Sequence, residues 1–188
     1  PVKWFNISRV CRYERAQKGR LREFFQWNCD ILGDPGVTSD AECIAVAVEA
    51  LREFGLSPDQ VEVRLSSRAL LAAMLHRLGL PDEVIPRVYL ALDKRGKVPE
   101  SVVTEMLAEL ELTAGQRAGM DGIMAFADLD ELPADFRGAP GVEEAAEELR
   151  SLVTWLEHYG VADFVRFDVG IVRGLAYYTG IVWEVFDR

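Results

Sequence analysis

Polar and apolar positions alternate near both ends of the chain and recur three or four apart in between. Trp4, Ile7 and Val10, with the run through Arg12, fit a strand, and Phe24 to Ile31 reads as a second. Ala16-Gln17-Lys18-Gly19 between them has turn chemistry, so the pair makes a long antiparallel hairpin that Gly33-Asp34-Pro35-Gly36 ends. A helix follows. Ser39-Asp40-Ala41-Glu42 has the form of a capping box, Ile44, Val48 and Leu51 keep helical spacing, and Gly55 stops it. Gln60 to Leu65 alternates like a half-buried strand.

From Ser67 to Arg137 the texture changes to short helices with stops at Gly79, Gly96 and Gly138, and Pro81 and Pro99 suit first-turn positions. Leu70, Met74 and Leu78 mark one helix face; Val102, Met106 and Leu110 mark another. A further helix runs from about Val142 to Tyr159 and ends at Gly160. Phe164 to Val169 is strand-like, and Leu175 to Tyr178 with Ile181 to Phe186 predicts a hairpin across Thr179-Gly180. Strands at both ends with helices between them predict an α+β fold. The divisions are a core at 1–66, an inserted helical module at 67–138 and the returning core at 139–188.

Composition narrows this little. The chain has 188 residues, 49% of them hydrophobic and 28% charged, as in globular domains. Three cysteines and two distant histidines, His76 and His158, show no metal-ligand spacing, so free thiols and no metal site are expected. No apolar run reaches the ~18 residues of a membrane span. GxGxxG and GxxxxGK[ST] loops are absent. Opening in strand texture without a lead-in, the chain is expected to be cut from a longer protein.

Charge changes the picture more. Net charge is −10, yet residues 1–22 hold seven Lys or Arg and one acid, leaving 14 basic and 30 acidic residues for positions 23–188. A local +6 beside a −16 body points to an anion. Arg12 ends the first strand, and Arg173 sits in an apolar and aromatic stretch. Guanidinium forks suit phosphate or carboxylate, but either arginine can equally pair with an acid such as Asp168 or Glu184. The loop cations Arg15, Lys18, Arg20 and Arg22 either line a phosphate-rich ligand or keep a hairpin tip solvated. Gln26 and Asp30 share a strand face, as a polar floor for a ligand amine or as ordinary cross-strand pairs. Adjacent Tyr177 and Tyr178 would face opposite sides of a strand. His76 and the Glu143, Glu144, Glu147, Glu148 face read as surface.

RYERAQKGRLREFFQWNCDILG resembles motif 2 of the histidyl-tRNA synthetases, a class II aminoacyl-tRNA synthetase family, and VRGLAYYTGIVWEVF resembles their second histidine signature, RGLDYYTG and a strand. SDAECIAVAVEALREFGL is similar to the helix after motif 2, and the family carries an insertion where residues 67–138 fall. The resemblance implies part of the class II antiparallel sheet core, flanked by helices, with the small helical module inserted. It implies ATP-dependent activation of L-histidine, with Mg²⁺, and transfer to the acceptor end of tRNA(His), in a cytoplasmic homodimeric parent. Arg12 and Arg173 would carry the catalysis by flanking the α-phosphate, and Glu14 would approach the nucleotide. Gln26 would meet the α-amino group, Asp30 the imidazole, Arg173 the carboxylate, and Tyr177 and Tyr178 the pocket wall. Arg15, Gln17, Lys18 and Arg20 would meet the tRNA end. Ala176 stands where the signature has Asp, and Ala16 where Pro is usual. The family also includes the regulatory subunit of ATP phosphoribosyltransferase, the alternative reading. Motif 1, motif 3 and the anticodon-binding domain have no counterpart in these residues, so the chain alone is expected to be inactive.

Overall fold

The computed structural model describes residues 1–15, 18–95, 97–173 and 177–188. Strands β1 (Val2–Cys11) and β2 (Glu23–Leu32) pair antiparallel over their whole length, from Val2 opposite Leu32 to Cys11 opposite Glu23. Gly19 and Gly33, both at positive φ, flank β2 on either side, where left-handed backbone is cheap only for glycine.

Helix α1 (Val37–Glu53) starts two residues before the Ser39 expected to cap it. Gly36 is the extended residue at its N-terminus, and the Asp34 carboxylate accepts the Gly36 N–H at 2.9 Å. That bond, with one from the Ser39 hydroxyl, holds the Asp34 carboxyl below its usual range. The turn organised by Asp34 therefore sets the boundary, and the Ser39 capping box does not form.

Strand β3 (Val61–Ser67) is buried along nearly its whole length, where half-burial was expected. It is central. β4 (Val165–Phe167) runs parallel on one side and β5 (Ile181–Asp187) antiparallel on the other, giving the order β4-β3-β5. The expected Leu175–Phe186 hairpin is thus corrected. β5 takes its hydrogen bonds from β3, far away in sequence, Tyr177 and Tyr178 lie outside any strand, and Leu175 and Ala176 lie outside the described residues.

Between β3 and β4 come α2 (Arg68–Arg77), α3 (Ile85–Lys94), α4 (Glu100–Ala108), α5 (Ala114–Ala125) and α6 (Val142–His158). Ala145, Ala146, Leu149, Leu152 and Leu156 give α6 a buried stripe facing Ala41, Ile44, Ala45 and Val48 of α1 and the α2 side chains Leu70, Leu71 and Met74. These fuse with β3 and the module residues into one buried cluster. In α4 the buried residue is Val103 and Val102 faces out, whereas Met106 is half-buried and Leu110, just past the helix, is buried as expected. Pro81 precedes a turn and Pro99 stands just before α4, so neither occupies a first helical turn; Gly96 lies outside the described residues. The three cysteines are free thiols.

Candidate functional site

The pleat of the hairpin sorts its side chains into two faces. One carries Phe5, Ile7, Phe25, Trp27 and Cys29, largely exposed, and meets α1 at its Lys3 end, where Lys3 reaches Glu42 of that helix at 2.5 Å. The other carries Trp4, Asn6 and Ser8 on β1 opposite Asp30, Asn28 and Gln26 on β2. Here the polar groups join in a row. Arg12 Nη2 donates to Gln26 Oε1 at 2.9 Å, Gln26 donates in turn to Asn28, Asn28 donates to Asn6 at 3.1 Å, and Ser8 also donates to Asn6 at 2.7 Å. Trp4 Nε1 donates to Asp30 Oδ2 at 2.8 Å, and Asp30 has no cationic partner among the described residues. Gln26 and Asp30 thus lie on one face as expected, with Asn28 between them, a residue the sequence reading passed over although strict alternation from Gln26 points to it.

Arg12 is oriented by a neutral amide and by the ring of Phe24, 5.1 Å away, and has no carboxylate partner among the described residues. An amide fixes the fork without neutralising it, so the full charge remains for an anion. At the tip, Arg20 pairs with Glu14 at 3.3 Å and Arg22 reaches the Glu14 carbonyl at 3.3 Å. Arg9 pairs with Glu23 across the strands. Arg15 and Lys18 are exposed and take part in no ion pair among the described residues, while Gln17 and Ala16 lie outside them. Of the seven cations in residues 1–22, three have acids among the described residues (Lys3, Arg9 and Arg20) and four do not.

Arg173 has the opposite setting. Its Nη1 bonds Glu184 of β5, and its guanidinium lies 5.5 Å from the ring of Tyr178. Burial works against its charge, but bonds to Tyr178 and Glu184 outweigh that and raise its pKa. The pairing with Glu184 considered from the sequence is what forms. Tyr177 and Tyr178 stack, with centroids 4.5 Å apart and hydroxyls 3.4 Å apart, so the expectation of opposite faces is corrected: no strand pleat separates them. The mutual hydroxyl bond lowers the pKa of Tyr178 and raises that of Tyr177. On the same face of the sheet, opposite Glu184, Arg64 Nε bonds Glu62 at 2.5 Å and its Nη1 lies 3.6 Å from Asp168. Arg64, Asp168, Glu184 and Phe186 border a cavity of about 450 Å³.

Two half-sites result. Arg12, Gln26 and Asp30 stand on the hairpin, while Arg173 and the tyrosines stand beside β5, and no hydrogen bond or ion pair links the two groups among the described residues. The sequence reading also missed Arg68, whose Nη1 donates to the Arg173 carbonyl at 2.8 Å. Among the described residues no group of three His, Cys, Asp or Glu is placed to hold a metal, and no helix is long and apolar enough to cross a membrane.

Known structures share this fold. A histidyl-tRNA synthetase from Nostoc sp. PCC 7120 superposes with a TM-score of 0.82 at 21% identity, over 98% of this chain and 44% of that one. A Bacillus halodurans protein described as an ATP phosphoribosyltransferase regulatory subunit/histidyl-tRNA synthetase gives 0.81 at 25% identity, over all of this chain and 48% of that one. The fold is therefore that of a class II synthetase catalytic region. A family profile described as histidyl-tRNA synthetase matches residues 1–188, and the chain belongs to that family. Among curated relatives, histidine–tRNA ligases of Arabidopsis thaliana (chloroplastic/mitochondrial) and Opitutus terrae are 39% and 40% identical over the whole chain, which spans 38% and 44% of their lengths.

Proposed function

We propose that the protein to which these residues belong activates L-histidine with ATP and transfers it to the acceptor end of tRNA(His). One histidine carboxylate oxygen attacks the α-phosphorus in line, the new C–O–P bond forms, and the bond to the bridging oxygen breaks to release pyrophosphate. A terminal ribose hydroxyl of the tRNA then attacks the adenylate carbonyl, forms the ester and expels AMP.

The observation that carries this reading is Arg12, oriented by Gln26 and without a carboxylate among the described residues. In-line displacement asks of a protein chiefly position and stabilisation of charge at the phosphate, and a preorganised fork supplies both. Arg173 has five N–H donors, only some of them committed to Glu184 and Tyr178, so it serves the α-phosphate and the histidine carboxylate from the other side. Glu14 approaches the nucleotide. The Gln26 oxygen takes the α-amino group once the substrate phosphate relieves it of Arg12. Asp30 accepts an imidazole N–H, and Tyr177 and Tyr178 wall the pocket. Such a site rejects amino acids that leave these groups unpaired. Arg15, Gln17, Lys18 and Arg20 guide the tRNA end. Mg²⁺ enters with the ATP phosphates. The parent acts as a cytoplasmic homodimer, with residues 67–138 inserted between core stretches 1–66 and 139–188.

The second reading is a regulatory subunit of ATP phosphoribosyltransferase, favoured by the likeness to the Bacillus halodurans protein, whose name joins both roles. Calorimetric titration of the full-length parent with L-histidine and with a non-hydrolysable histidyl-adenylate analogue separates the two. Much tighter binding of the analogue, lost in Arg173→Ala, is expected of the ligase. Histidine binding without any gain from the adenylate half replaces it with the regulatory reading.

A further inference from the structure

We propose that Arg68 is a positioning residue for Arg173, tying the first helix of the helical module to the phosphate-binding half of the site. Arg68 opens α2, directly after β3. Its main-chain N–H donates to the carbonyl of Gly180 at 3.0 Å, extending the β3–β5 ladder by one bond. Its guanidinium Nη1 donates to the carbonyl of Arg173 at 2.8 Å. One residue therefore holds the carbonyls at both ends of the signature segment that runs from Arg173 to Gly180.

Arg68 is itself held in place. The Tyr89 hydroxyl of α3 donates to the Arg68 carbonyl at 3.2 Å, and the guanidinium lies 4.4 Å from the Tyr89 ring centroid. Tyr89 is 7% exposed. A planar fork against an aromatic face loses little freedom in making its bond, so it is a stiff strut. The guanidinium of Arg173 works at the end of a long side chain, so a tilt of its peptide moves the fork by much of an ångström. Misplacement of about 1 Å costs on the order of 10²-fold in rate. Glu184 steers the same guanidinium from β5, and Arg68 fixes the backbone from which it reaches.

This inference rests on the ligase reading of Arg173, and the test separates the two. Histidine-dependent ATP–pyrophosphate exchange is measured for the full-length parent, for Arg68→Ala and Arg173→Ala, and for the double variant. The expected result is a fall in kcat of about 10- to 100-fold for Arg68→Ala with the KM for ATP little changed, and no further fall when Arg68→Ala is added to Arg173→Ala. Losses that multiply in the double variant, or a normal kcat in folded Arg68→Ala, overturn the positioning role and leave the ligase reading standing. A wild-type parent without exchange overturns the ligase reading and this role with it. Should Arg68→Ala fail to fold, Tyr89→Phe runs the same cycle. It keeps the ring beneath the guanidinium and removes one bond, and a few-fold loss that vanishes beside Arg173→Ala is expected.

Discussion

The hairpin and the three-stranded sheet each present an arginine to the proposed nucleotide, and they prepare it differently. On the hairpin, Arg12 is aimed by an amide and a phenyl ring and keeps its charge unopposed. Beside β5, Arg173 is partly buried and bound by Glu184 and Tyr178. Exposure accounts for the contrast. An exposed guanidinium is hydrated and needs only direction, whereas a half-buried one needs a counter-charge to offset its desolvation. The same rule separates the acids. Glu23 faces water beside Arg9, while the Glu62 side chain, 4% exposed, is held by Arg64 at 2.5 Å and Arg188 at 3.1 Å.

The sharpest test removes each arginine from the parent. Arg12→Ala and Arg173→Ala should each lower histidine-dependent pyrophosphate exchange by about 10²- to 10³-fold; a large loss at only one of them would end the two-sided picture. Stability gives the next effect. Glu62→Gln should lower unfolding free energy by about 2 kcal/mol in urea titration, whereas Glu23→Gln should cost no more than about 0.5 kcal/mol. Equal costs would show that burial does not separate the sheets.

Acid should act on the same carboxylate. Burial pushes the Glu62 pKa up, but the Arg64 hydrogen bond and the charges of Arg64 and Arg188 win, so its folded value lies below the ordinary 4.5. Its contribution is complete above 4.5 and is lost as pH falls through the lower folded value. Wild-type stability measured from neutral pH downward should therefore converge on that of Glu62→Gln at the acid end. The smallest effect belongs to the tip. Lys18→Ala should leave exchange and stability unchanged and reduce the salt slope of tRNA binding by about one counterion, read from binding across a salt series.

Much of the hairpin was legible because period-two alternation is a local property. The pleat puts Gln26 and Asp30 on one face whatever else the chain does. Helix α6 was legible for the same reason, ending before Gly160 at positive φ. Less local features escaped. The start of α1 depended on which neighbouring side chain reached an orphan N–H first, and Asp34 did. At the start of α4 packing, not periodicity, selects Val103 over Val102 as the buried residue. For VRGLAYYTG the motif itself was plain, but the geometry around it was not.

By itself the sequence determined the family, the antiparallel hairpin with its polar row, and the excess of cations at its tip, since each follows from residue identity and spacing along a short stretch. Only the tertiary structure decided that β5 pairs with β3, that Glu184 takes Arg173, and that Arg68 reaches the same segment from 105 residues away. Those bonds join groups that no local periodicity along the chain brings together. Which of several arginines and acids meet there is settled by how the helices between them pack, because burial penalises every partner left unpaired.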